Sequence, residues 1–217
     1  MTEPVHIDVY SDVVCPWCYV GKRRLERALG SGGVSAQVAW RPFQLNPTMP
    51  KDGMDRRTYL EAKFGSLDAF RHLEEQVSAA GVSVGISFAF DQIARTANTF
   101  LAHRLIWLAE RESCQDAVVE SLFRGYFEEG ADIGAISVLA ALADRAGLPQ
   151  ARVETFLHGD EGTPEVKMEE AAGHQMGIRS VPYFVFNGTY GLSGAQPVET
   201  FRAAFAQAMA GPTQPRR

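Results

Sequence analysis

The chain has 217 residues, 46% of them hydrophobic, enough to bury a substantial core, and its length permits one large domain or two small ones. A formal net charge of −5 without a basic cluster offers little to a phosphate backbone, so no nucleic-acid partner is expected. The longest mostly apolar segment, residues 136–143, is far shorter than the ~20 residues of a spanning helix, so no membrane partner is expected either.

Val5-His6-Ile7-Asp8-Val9-Tyr10 alternates apolar and polar residues and includes β-branched types, which predicts a strand. A strand beginning by about Val5 leaves no room for a secretory leader. Three cysteines, two of them in one motif, do not make a structural disulfide framework. A cytoplasmic location is therefore expected. Where the strand ends stands Cys15-Pro16-Trp17-Cys18, followed by a helical pattern over residues 19–29. Val20, Leu25, Ala28 and Leu29 fall near one face of that helix, Lys22, Arg23, Arg24 and Arg27 largely decorate the other, and Gly30 stops it.

A dithiol at a helix start is placed for disulfide exchange. The first turn leaves backbone N–H groups unpaired and carries roughly +0.5 of an elementary charge, which favours a thiolate. The thiolate is the attacking species, and the following turn brings Cys18 around to close a disulfide with Cys15. Pro16 suits the first helical position, where its missing N–H costs the ladder nothing. The competing reading of a CxxC pair is half a zinc site. It fails on ligand count, because the only other cysteine is Cys114 and no histidine follows closely, so no metal is expected.

The middle of the chain reads as helices over residues 59–80 (ending near Gly81), 92–110, 115–127, 136–146, 150–157 and 163–172, the last with Pro164 in its first turn. In the second of these, Arg95, Asn98, Thr99 and Ala102 share one face, with His103 on its edge. That face is either a roof over the active site, with Arg95 and Asn98 holding a polar substrate, or a buried cap; His103 has no visible partner. Cys114 follows Ser113, a plausible N-cap, and reads as a small buried residue rather than a redox group. Strand character returns at residues 183–186 and 190–192, joined by the hairpin signal Asn187-Gly188, and a helix over 197–209 closes the pattern. Residues 211–217 read as a disordered tail.

Ser11-Asp12-Val13-Val14-Cys15-Pro16-Trp17-Cys18-Tyr19-Val20-Gly21 resembles the active-site segment of the FrnE-like branch of the DsbA family of thiol-disulfide oxidoreductases. The likeness continues through residues 41–47 (Arg-Pro-Phe-Gln-Leu-Asn-Pro), 95–99 with 102–104, 181–186 and 193–196, and leaves out only the first few residues and the tail from about Gly211. It implies an α/β, thioredoxin-like fold with an inserted helical domain: core over 1–47 and 178–210, insertion over 48–177. It also implies Cys15 as nucleophile, Cys18 as resolving cysteine, and Pro182 in a cis bond facing the dithiol; an ordinary trans proline is the competing reading from base rates.

Around the dithiol, Pro16, Trp17, Phe43 and Val181 are candidates for an apolar docking surface, with core packing an equal reading for Phe43. The expected function is disulfide exchange with protein or small-molecule thiols and disulfides, by a monomer or homodimer. No cofactor is expected, glutathione being a candidate co-substrate. The alternative is a glutathione-dependent isomerase or transferase, related to 2-hydroxychromene-2-carboxylate isomerases and kappa-class glutathione transferases; those relatives typically carry serine where this chain has Cys15.

Overall fold

The computed structural model describes residues 3–210, the side chains at 31–32 and 67–69 excepted. It begins with β1 (Val5–Ser11), α1 (Pro16–Gly32) and β2 (Ala36–Pro42), a βαβ unit in which β1 and β2 pair in parallel. An insertion follows: β3 (Met54–Asp55), α2 (Arg56–Phe64), α3 (Leu67–Val84), a 3-10 turn (Phe90–Gln92), β4 (Arg95–Thr96), α4 (Phe100–Arg111), α5 (Gln115–Glu129), α6 (Ile136–Arg145), α7 (Gln150–His158) and α8 (Thr163–Gln175). The chain then returns as β5 (Tyr183–Phe186), β6 (Tyr190–Ser193) and α9 (Val198–Ala210). The main sheet has the order β2-β1-β5-β6, with β5 antiparallel to both neighbours. This is the thioredoxin-like α/β fold interrupted by a helical insertion.

Alternation in β1 sends Val5, Ile7 and Val9 into the core, where α1 and α9 pack on each other beneath the sheet. Phe184 and Phe186 of β5 meet Phe201 and Phe205 of α9 at ring separations of 4.8 and 5.8 Å. Burying each such ring contributes roughly 1.5–3 kcal/mol, so this contact anchors the strand that Pro182 leads into. The hairpin between β5 and β6 turns on Asn187 and Gly188, both at positive φ, and the Thr189 N–H closes the turn on the Phe186 carbonyl at 3.0 Å before Phe186 pairs with Tyr190.

Several local expectations differ from the fold. The helix read as ending at Gly30 continues to Gly32 and stops at Gly33, which is left-handed (φ 59°). The helix read over 59–80 is two helices: Gly65 breaks it at φ 81°, and α2 starts at Arg56 because the Asp55 carboxylate accepts the Thr58 N–H at 2.9 Å. The helix read over 92–110 starts only at Phe100. Its first part is taken by the β3–β4 ladder, Met54 opposite Thr96 and Asp55 opposite Arg95, and by Asn98, whose side chain accepts the Phe100 N–H at 3.0 Å. Finally, Ser113 (φ 59°) is not the N-cap of α5; Cys114 is.

Lys22 does not decorate an outer face. It is 2% exposed and is met by Glu26 on its own helix and by Asp116 and Glu120 of α5, the last two at 3.2 Å. Tyr19 stacks on Phe123 at 5.0 Å and donates its hydroxyl to Glu128 at 2.6 Å. The helix bearing the dithiol is thus clamped to the insertion by a buried cation and an aromatic stack. Among the described residues no helix is long and apolar enough to cross a membrane, and no group of three His, Cys, Asp or Glu side chains is placed to hold a metal ion.

Candidate active site

The turn between β1 and α1 is fixed by its own backbone: the Cys15 N–H donates to the Asp12 carbonyl at 3.0 Å and the Cys18 N–H to the Cys15 carbonyl at 3.0 Å. Cys15 is the N-cap of α1, in extended conformation, with Pro16 opening the first turn. Its sulfur does not cap the helix; the thiol donates instead to the Val181 carbonyl at 3.7 Å. The two thiols are not joined. Cys15 is 5% exposed, and Cys18 lies deeper, beside the Ser11 hydroxyl. Burial, then hydrogen bonding to Cys15 and the charge of Cys15, hold the Cys18 thiol well above its ordinary range.

The Val181–Pro182 peptide bond is cis. The Pro182 carbonyl accepts the Gly194 N–H at 2.8 Å, and Arg24 of α1 donates to the Ala195 carbonyl. The stretch Ser193-Gly194-Ala195-Gln196 therefore ties the proline loop to the dithiol helix. Gly21 lets the two approach: a Cβ there would stand 3.0 Å from Pro182 Cγ and 3.2 Å from Phe184 Cζ, so the helix sits closer than most side chains allow.

Nothing in the sequence pairs Asp12 with His103. Asp12, fully buried, accepts the Leu45 N–H at 2.7 Å with one carboxylate oxygen, while the other lies 3.4 Å from Nε2 of the buried His103 on α4. Neither of those two atoms has a hydrogen-bond partner among the described residues. The bond to Leu45 holds the turn before Cys15, and His103 brings α4 of the insertion up against it. The only signal for this contact was Asp12 inside the active-site motif, because His103 arrives from a distant helix.

Of the other expected site residues, Pro16 and Trp17 line a cavity together with Cys15, and Trp17 is 38% exposed. Val181 contributes its carbonyl. Phe43 is buried with Tyr10 and Ile178, its ring 4.9 Å from that of His174, and does not line the cavity beside Cys15. Arg95 and Asn98 do not share a helical face and do not line the cavity beside Cys15. Arg95 donates to the Asp52 carbonyl and faces Asp132 at 3.8 Å, and Asn98 donates to the Met49 carbonyl at 2.7 Å; both hold the loop that precedes α2. Cys114 is half-buried at the start of α5, and burial with nearby Glu112 raises its thiol.

The cavity has a volume of about 240 Å³. The start of α1 forms one wall, and α2 and α3 of the insertion face it through Leu60, Phe70 and Val77. Two other buried groups near the site titrate late: burial pushes the Tyr126 phenol from 10.0 up to about 12, and burial, with Glu128 and Glu120, raises that of Tyr19.

Every group with a raised value here binds its proton more tightly when folded. The stability each contributes is complete below its unfolded value and lost as pH rises through the folded one. The reduced protein should thus hold its denaturant midpoint up to about pH 8 and lose stability above the ordinary thiol value of 9.0, first through Cys18 and to a lesser extent Cys114, and then, between 10.0 and about 12, through Tyr126. Cys18→Ala should flatten the first part of that fall. Urea titrations from pH 7 to 11 of both proteins check this, and a midpoint that stays level through the range would contradict it.

The chain belongs to the family of DSBA-like thioredoxin domains, which it matches over residues 6–206. It is similar to the structure of a probable DsbA oxidoreductase from Streptomyces coelicolor, with 33% identity and a TM-score of 0.87, covering 98% of this chain and 93% of that one. The Bacillus subtilis (strain 168) protein YwbO is 28% identical over 205 residues, 93% of this chain and 96% of that protein. The fold is also that of the cytosolic disulfide reductase DsbM from Pseudomonas aeruginosa, solved with GSH, at 16% identity and a TM-score of 0.66, covering 94% and 99% of the two chains.

Proposed function

We propose that this protein is a thiol-disulfide oxidoreductase that works through Cys15 and Cys18. The Cys15 thiolate attacks one sulfur of a substrate disulfide; that S–S bond breaks, one half leaves as a thiolate, and the other stays on Cys15 as a mixed disulfide. Cys18 then loses its proton and attacks the Cys15 sulfur, releasing the second thiolate and closing the Cys15–Cys18 bond. Two electrons pass from the dithiol to the substrate, and the same steps in reverse oxidise a substrate dithiol.

The observation that carries this reading is the unequal placement of the two thiols. Cys15 stands at the helix start against the Val181 carbonyl and lines a cavity, whereas Cys18 is buried behind it with its proton held tightly. Burial keeps the second thiol from competing for external disulfides and leaves it one target, the sulfur of Cys15. Pro182 takes part as the residue that fixes the Val181 carbonyl beside that sulfur.

Mixing the reduced protein with one equivalent of a small-molecule or protein disulfide should consume two of its three thiols and release two substrate thiols. The Cys114→Ser protein should give the same stoichiometry. Loss of one thiol per chain, or of none, would overturn the dithiol mechanism. Equilibration with a glutathione buffer then gives the potential, which for such dithiols falls roughly between −270 and −120 mV and decides the direction of electron flow.

A further inference from the structure

We propose that the cavity beside Cys15 takes the apolar body of a small-molecule thiol or disulfide whose far end carries a carboxylate. The inference deepens the proposed function, since it rests on Cys15 being the reacting sulfur. The cavity is larger than the ~150 Å³ that accepts a benzene ring in an apolar protein interior, and Leu45, Leu60, Phe70, Val77 and Phe90 make most of its wall hydrophobic. Such walls reward an aryl or branched alkyl group and leave a peptide backbone without hydrogen-bond partners.

The same cavity is lined by three polar groups whose bonding is incomplete. The Thr96 hydroxyl is buried against the Tyr126 hydroxyl, close enough to favour its phenolate, yet makes no hydrogen bond of good geometry among the described residues. The Tyr126 hydroxyl, beside it, makes two long contacts, one from the Arg56 guanidinium and one to the Arg95 carbonyl, both 3.5 Å. Arg56 lies over the rings of Phe70 and Phe90, at 5.6 and 5.7 Å, an arrangement that holds the guanidinium plane without using up its N–H donors.

A planar cation whose one side-chain hydrogen bond among the described residues is the long contact to Tyr126, flanked by two hydroxyls, matches a carboxylate in charge and shape. The other charged residues lining the cavity are Lys63, whose ammonium already donates to Asn46 and Tyr59, and Glu74, which lies near Arg56. With Glu74 present, and a thiolate forming at Cys15, the site favours a single negative charge over a dianion such as phosphate. Glutathione, with its peptide bonds and several charges, fits these walls poorly.

Titration calorimetry on the reduced full chain with two non-reactive probes tests the binding. Para-(methylthio)benzoate should bind at least about tenfold more tightly than para-(methylthio)benzamide, the gain a charge-assisted carboxylate contact brings. Arg56→Met should bring that ratio close to one, Arg56→Lys should restore part of it, and Thr96→Val should weaken the acid several-fold. The acid–amide comparison in the unmodified protein needs no variant to fold. Equal binding of acid and amide, or tighter binding of S-methylglutathione than of the benzoate, would overturn the inference.

Reduction of bis(para-carboxyphenyl) disulfide and of its diamide provides a separate arm. Failure to reduce either, with the acid still binding selectively, would remove the redox reading and leave the carboxylate site. Reduction of both at one rate, with no binding preference, would do the opposite.

Discussion

The Cys18→Ser protein is expected to accumulate covalent, thiol-sensitive adducts with disulfide substrates, while the Cys15→Ser protein accumulates far fewer. Replacing Cys18 removes the step that releases the mixed disulfide and leaves the attack by Cys15 intact. The reverse substitution removes the influence of Cys15 but leaves Cys18 buried, and burial, the largest cause of its raised value, still disfavours the thiolate and bars an outside disulfide. Catalytic turnover should fall in both variants to the background of free thiols. Non-reducing gels with mass spectrometry of the linked peptides show which sulfur is joined. Equal trapping by the two variants, or adducts mainly on Cys114, would reject the assignment of roles.

The second large effect is expected on stability, at Arg104. Its side chain, on a residue 3% exposed, donates to the Phe156, Leu157, Gly159 and Glu161 carbonyls at 2.7–3.3 Å, collecting the end of α7 and the loop after it. The negative end of a helix dipole and a fan of carbonyls offset the desolvation of the cation, which lowers its proton affinity. Arg104→Met leaves four carbonyls without this donor and should cost roughly 3 kcal/mol or more. At about 2–4 °C per kcal/mol for a chain of this size, the melting temperature should drop by roughly 6–12 °C. Arg104→Lys should rescue little, because a point charge cannot reach carbonyls that the planar fork spans. A drop of less than about 2 °C in Arg104→Met would show that water replaces the guanidinium at low cost.

Local chemistry sufficed for one set of features. The alternation of Val5, Ile7 and Val9 is β1, Pro16 after Cys15 is the first turn of α1, and Asn187-Gly188 is the hairpin between β5 and β6. Helices α5 to α9 lie within a few residues of where their periodicity placed them. Each of these signals is written in neighbouring residues: a strand's two-residue period, a fixed proline φ, a pair of residues that tolerate positive φ.

Where the reading departed from the fold, the deciding partner lay far away in the chain. Residues 92–99 carry a helical spacing of apolar groups, yet β3 recruits Arg95 and Thr96 into a ladder, so Arg95 and Asn98 brace a loop and share no helical face. Lys22 falls on the charged side of its helix by pattern, and only the arrival of Asp116 and Glu120 from α5 makes burying it tolerable. His103 had no neighbour visible in sequence because Asp12, 3.4 Å from it, lies in the turn after β1, some ninety residues earlier in the chain. The sequence by itself determined the dithiol, its place at a helix start and most of the elements around it, since those depend on short-range backbone preferences. The tertiary structure alone decided which charges are buried together, what walls the cavity beside Cys15 and which side chains reach it, since those depend on how distant segments pack.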